Sequence, residues 1–589
     1  MDDRVPPPPL YPPRPPGSPP RDLRATLAAT PENLHNQAGP VPGDATRYLC
    51  AAAWLDRGFR AEVIEELVEQ SFRIPAPSPG TDLVRVLHEA LTARRWEAWT
   101  GAACLAVLAA GFPLFGPEAG ITAAVAALVL GAAGGFGADR MDHRLGLSLE
   151  RLTVARAPRR PGRGRAKGGL SGTLTFLVAL SALAVAFTYL RDQAGRLDPD
   201  TVARAGYAVA ELVLLWLIAA GLRLAIRRRL AGPAMRPAGP PPQPNGKRAA
   251  WLYQRLREQQ SGPELLYRRR APLVGLGLPG PIWRMTFELQ PSAARVAEGR
   301  PAEPIDASAL YRAVAARVRA LAEDTRYPED PLRGLSVTDR VFRPSLRVDD
   351  PRHWRGRMSA HAGDRILLEP AWADLLSRSG HERLRHYLAI RVGSWQEEVV
   401  VTVLVRATTR GGLLHLEWLP YVLPPVDPAY HVIDALGRHS GPADAANALG
   451  WAARRLGGDI AVAVGQLGEV WSSRGRAASL ARRYRQVTST GYAVDYAPRL
   501  SVRELGSAAE YQNIFQSHDV QRFLGTVTQR VFSAVGEELR ARGYDSAAFE
   551  KQSQSITNIN NGVVVSGSTV NGPVAGGAGS SVHLEVPKS

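Results

Sequence analysis

Only two cysteines occur in 589 residues, which excludes a disulfide framework. Cys50 and Cys104 belong to no CxxC or Cys/His cluster, so free thiols and no metal site are expected. The first 43 residues lack an apolar core segment and open with Asp2 and Asp3, so no cleaved signal peptide is expected. Neither GxSxG nor GxxxxGK followed by Ser or Thr occurs, which removes the esterase elbow and the phosphate-cradling loop. Gly275, Gly277 and Gly280 spell GxGxxG, but Pro279 and Pro281 flank the last glycine and a strand follows where dinucleotide binding needs a helix N-terminus. His381, Glu382 and His386 resemble a zincin motif with one residue too many. Positions i and i+5 lie roughly 140° apart around a helix, too far to share a metal. The pairs Asp349/Asp350 and Glu323/Asp324 read as solvated turns. No catalytic, cofactor or metal residue is therefore assigned.

Apolar length and one-sided basic charge are what the chain does have. Four apolar segments lie near residues 99–115, 119–136, 170–190 and 206–226. The last two meet the roughly 20 residues that cross about 30 Å of hydrocarbon, and the first two read as a tight hairpin around Glu118. A re-entrant or surface-lying hairpin is the alternative for that pair. Gly131 and Gly135 supply a small-xxx-small spacing in the second segment, and Trp96 and Trp99 stand where interfacial aromatics belong. Glu211 is the one acidic residue inside a span, placed near its outer end.

Charge then sets the orientation. Residues 139–169 hold nine basic side chains against three acids, and residues 223–250 hold seven with none, together +13 of the formal +17. Under the positive-inside bias both stretches, both termini and everything after residue 227 face the cytoplasm at the plasma membrane. The excess is juxtamembrane, so anionic lipid is the expected partner and nucleic acid is not. The lipid contacts expected are Arg156, Arg159, Arg160, Arg163, Arg165, Arg227, Arg228 and Arg229.

The fold expected is an α-helical membrane region, four transmembrane helices as two hairpins, followed by a cytoplasmic α+β domain. In chain order this gives a Pro-rich tail (1–43), a helical segment (44–98), the first hairpin (99–136), a basic loop (137–169), the second hairpin (170–226) and a basic Pro-rich linker (227–249). An α+β domain (250–425), a helical region (426–552) and an Asn/Gly/Val-rich tail (553–589) complete it. Alternation in Trp283, Met285, Phe287 and Leu289 predicts a strand, and residues 385–393, 398–407 and 412–423 predict three more, the last two joined at Arg410 to Gly412. Leu310, Val314, Val318 and Leu321 mark a helix with Asp306 as its cap. Residues 442–484 read as helix broken at glycines. Phe523, Val527, Val531, Val535 and Leu539 form a narrow helical stripe suited to a partner surface.

The tail carries Asn560, Asn561, Val563, Val565, Val570 and Asn571, residue types that stack in cross-β ladders, so self-assembly or docking to another protein is one expectation. A flexible linker is the other, favoured by Pro573 and the glycines after it. The run NNGVVVSGSTVNGPVAGG resembles the amyloid-signalling motifs of multicellular bacteria. ATRYLCAAAWLDRGF (45–59), APLVGLG (271–277) and SWQEEVVVTVLVR with LLHLEWLPYVLPP resemble an uncharacterised family of actinobacterial multi-pass membrane proteins, which implies topology but no site residues. The function expected is a non-enzymatic membrane-anchored scaffold or sensor with an interaction tail. A membrane-tethered enzyme with its site in 250–550 is the alternative, and a transporter or pore the third.

Overall fold

The computed structural model describes residues 44–115 and 199–562, except 348–383 and several shorter loops. The chain opens with α1 (Asp44–Leu55), α2 (Arg57–Ile64), a π-helical turn (Glu65–Glu69) and α3 (Leu83–Phe115), then α4 (Pro199–Ala231) and α5 (Lys247–Gln260). Strands β1 (Glu264–Tyr267), β2 (Leu278–Pro279) and β3 (Trp283–Glu288) precede α6 (Ala293–Ala297) and α7 (Ala307–Arg319). Next come β4 (Leu335–Pro344), β5 (Leu346–Arg347), β6 (Arg385–Ser394), β7 (Val399–Arg410) and β8 (Leu413–Leu423). The chain continues through α8 (Val432–Leu436), α9 (Pro442–Ser489), β9 (Val494–Asp495), α10 (Val502–Leu505), α11 (Ile514–Ala541) and α12 (Ala547–Gly562).

Seven strands form one mixed sheet in the order β1-β4-β6-β7-β8, with β2 and β3 both on the far side of β8. Only the β1–β4 pairing is parallel among the named pairs of this sheet. Strand β7, VVVTVLVRATTR, is buried on both faces along its first half, as its run of β-branched residues dictates. Its hairpin to β8 turns at Gly411 and Gly412, both at positive φ where a side chain would be strained. One face of the sheet carries the main core. Leu388, Val405 and Trp418 lie side by side across three strands and pack with Val314 and Val318 of α7 and with Phe523, Val527, Val531, Val535 and Leu539 of α11. The stripe on α11 thus meets the chain's own sheet. Each such side chain contributes about 1.5–3 kcal/mol on burial.

A second core gathers α1, α2, the start of α3, the end of α4, α5 and the segment around Val426, Tyr430 and Ile433 into a helical platform. Above it α3, α4 and α9 form a three-helix bundle around Cys104, Leu215, Ala219, Ala220 and Ala452. Helix α9 runs unbroken for 48 residues, including the glycines where breaks are expected from sequence, because it packs along both neighbours. Isolated glycines cost only about 1 kcal/mol each in a helix.

The expectation of four transmembrane helices as two hairpins is overturned. Among the described residues one helical stretch, Val209–Ala231, is long and apolar enough to cross a membrane. The segment 99–115 is not a separate span but the end of α3, whose first half carries Glu89, Arg94, Arg95 and Glu97 and is committed to the platform. Segments 119–136 and 170–190 lie outside the described residues. The domain after the linker is a mixed α/β unit, and multi-pass topology has no support from the fold.

Candidate functional site

Polar side chains from five separate segments converge where α1 meets the β6–β7 turn, and none forms a recognisable motif in sequence. The ring of His431 stacks on Tyr48 with centroids 3.8 Å apart and planes 12° from parallel. Its Nε2 lies 3.1 Å from Glu398 Oε2, which also accepts from Gln512 Nε2 at 3.3 Å. Gln512 anchors itself by a 2.9 Å bond to the carbonyl of Val426. Tyr48 donates to Asp434 Oδ2 at 2.8 Å, and Arg47 pairs with the other oxygen of the same carboxylate. Tyr430 donates to Asp56 at 2.9 Å, and Asp56 also caps α2 by accepting from the amide of Phe59.

Burial shapes the electrostatics. It pushes the Asp44 carboxyl up, against the pull of Arg47 and with help from nearby Asp434 and Glu398. Burial also raises the Tyr48 phenol, as does its bond to Asp434. Arg503 is fully buried, its guanidinium lowered by desolvation to about 10, and Glu398, Glu397 and Glu504 oppose that shift. It donates to the carbonyls of Glu398 and Pro424 and to Ser507. One arginine therefore ties the turn, the end of β8 and α10 together.

The β6–β7 turn is strained. Trp395, Gln396 and Glu397 have φ of 52°, 53° and 70°, three consecutive non-glycine residues in the left-handed region. That conformation costs roughly 1–2 kcal/mol per residue and persists only when surroundings enforce it. Here Trp395 Nε1 donates to Asp519 at 3.0 Å, Glu397 pairs with Arg391, and Glu398 is held as above. Gly80 completes the grip, since a Cβ there would fall 2.5 Å from that of Glu397.

The glycines of the GxGxxG run serve a structural end. The amides of Gly275 and Gly277 donate at 2.8 and 2.9 Å to Glu504 Oε1, so a carboxylate of the chain fills the cradle. A Cβ on Gly277 would lie 2.3 Å from the carbonyl of Val422, which is why the loop needs glycine there. His386 pairs with Asp339 at 2.8 Å, both buried inside the sheet core beside Tyr311. His381 and Glu382 lie outside the described residues. Among the described residues no group of three His, Cys, Asp or Glu side chains is placed to hold a metal ion. Cys50 and Cys104 are buried and in no disulfide, and burial raises the Cys50 thiol well above its usual range.

The expected lipid contacts divide. Arg229 turns inward and pairs with Glu89 at 2.7 Å, Arg227 is half-buried, and Arg228 is exposed. Arg156, Arg159, Arg160, Arg163 and Arg165 lie outside the described residues, as do Val563, Val565, Val570 and Asn571. Asn560 and Asn561 fall within α12, and no further detail of their side chains is described. Glu211 is buried in α4. The Asp306 cap falls outside the described residues.

Residues 282–572 match the family model for the AbeC-like domain. The chain carries an AbeC-like domain. The match begins at β3, takes in the sheet from β4 to β8 with α7, α11 and α12, and runs ten residues past the end of α12, through Asn571. It includes Glu398, His431, Arg503 and Gln512 but not Asp44, Arg47 or Tyr48, so the convergence joins the AbeC-like domain to the helical platform. No curated protein and no solved structure matches the chain.

Proposed function

We propose that the protein is a membrane-anchored scaffold or sensor at the cytoplasmic face of the plasma membrane, with its AbeC-like domain carried on the helical platform. One observation supports this reading above the others. The Val209–Ala231 stretch of α4 is long and apolar enough to cross a bilayer, yet only about a third of it is buried. The core helix of a water-soluble protein buries most of its apolar surface, whereas an anchor leaves it for lipid.

The same helix ends inside the platform core through Ile226 and Leu230 and bonds to α3 through Arg229 and Glu89. The platform in turn holds the AbeC-like domain through Tyr48, His431, Glu398 and Arg503, so a displacement of the anchor reaches the sheet through packed elements. The tail that follows α12, residues 563–589, is the interaction element in this reading, through cross-β stacking with a like tail. Membrane fractionation of the full chain tests the anchor. The wild type is expected in the membrane pellet through carbonate washing, and Leu214→Glu with Leu217→Glu is expected to release it. A wild-type chain found wholly in the soluble fraction contradicts the reading.

A further inference from the structure

Two helices of the bundle change from basic to apolar at one common height. Helices α3 and α4 run antiparallel: Glu89 bonds Arg229 at the platform end, while Cys104, Val107 and Leu108 pack with Leu215, Trp216 and Ile218 further along. Moving away from the platform, the last basic residue on α3 is Arg95, which is exposed. One turn later comes Trp99, 75% exposed. On α4 the basic residues in the same direction are Arg228, exposed, then Arg227 and Arg223, and no other follows until Arg204, beyond Tyr207. Beyond them Leu217 and Leu214 are 49% and 46% exposed.

Helix α9 lies alongside. The indole of Trp216 donates to the carbonyl of Leu449 at 3.0 Å, and Arg476 further along α9 pairs with Glu69 at the platform, so α9 runs parallel to α4. At the far end Tyr207 is 46% exposed. From Tyr207 to Leu222 is sixteen residues, about 24 Å of helix, comparable to the roughly 30 Å of a hydrocarbon core.

We propose that this apolar end of the bundle enters a bilayer of anionic lipid, with Trp99 at the boundary of the hydrocarbon, Arg95 one turn out among the headgroups and Arg228 about 7 Å further out at their aqueous edge. The inference rests on the membrane reading above and adds the lipid class and the plane of entry. Exposed aromatics at a boundary between apolar and basic surface suit the interface, where an indole is half in hydrocarbon and half in water. Arginines at that boundary gain from headgroup phosphates.

Flotation of the full chain with vesicles separates the two ideas. Phosphatidylcholine vesicles and vesicles containing phosphatidylglycerol are compared at low ionic strength. Stronger binding to the anionic vesicles is expected, and Arg95→Gln with Arg228→Gln should weaken that binding by roughly thirty-fold, about five-fold per charge. Lipids brominated near the headgroup should quench a share of the fluorescence that Trp99→Phe removes. Equal binding to both vesicle types, with no effect of the arginine substitutions, overturns the inference and leaves the anchor standing. No binding to either vesicle, with the apolar face covered by a second copy of the chain, overturns both.

Discussion

The imidazole of His431 lies flat against the phenol of Tyr48 at 3.8 Å while its Nε2 faces Glu398 at 3.1 Å. These three residues belong to the segment after β8, to α1 and to the β6–β7 turn, so the His431 side chain links platform to sheet. His431→Ala removes both contacts. The expected cost is about 1–2 kcal/mol, from the stack and one bond to a charged group. Hydrogen exchange should show α1 amides opening faster while those of β7 keep their protection. Unchanged protection in α1 would show that the junction does not couple the two parts.

The strained turn gives a substitution of opposite sign. Gln396 sits at φ of 53° between two residues that make the holding contacts, and among the described residues no hydrogen bond holds its own side chain. Glycine adopts that conformation without penalty, so Gln396→Gly should stabilise the protein by about 1 kcal/mol. A denaturant midpoint that rises at constant slope is the expected result. A fall would mean that the side chain contributes more than the backbone strain costs.

The sign of a pH effect follows from Asp44. Burial raises its carboxyl in the folded protein, so the fold holds that proton more tightly than the unfolded chain does. Its ionisation therefore weakens the fold as pH rises from the ordinary aspartate range, about 4, through the raised folded value. Asp44→Asn removes the ionisation, and asparagine serves equally at a helix start. The variant should gain stability relative to wild type at neutral pH and match it in strong acid. Melting temperatures across pH check this, and a gain that is largest in acid would contradict it.

Much of the sheet is written locally. The runs at 385–393, 398–407 and 412–423 correspond to β6, β7 and β8 because β-branched residues and the Gly411–Gly412 turn leave one solution. The stripe from Phe523 to Leu539 reveals a helix, but its destination is tertiary information: the surface it covers is the sheet formed more than a hundred residues earlier. The parallel pairing of Glu264 with Val341 has no local signal, since β1 is four residues long. Apolar composition alone overstates the number of spans, because the end of α3 is no less apolar for continuing a platform helix. The junction is hidden for a similar reason. Asp44, Glu398, His431 and Gln512 are single polar residues in unrelated segments. One clue was present in SWQEEVV, a strand connection with no glycine, asparagine or proline to accept positive φ.

The central claim is that lipid covers the outer face of α4. A photoactivatable diazirine side chain placed at Leu217 in the full chain, irradiated in native membranes, reads the neighbour of that face directly. Lipid adducts at Leu217, absent when the same group replaces Val432 beside the junction, are the predicted result. Adducts to protein alone at Leu217 would contradict the account.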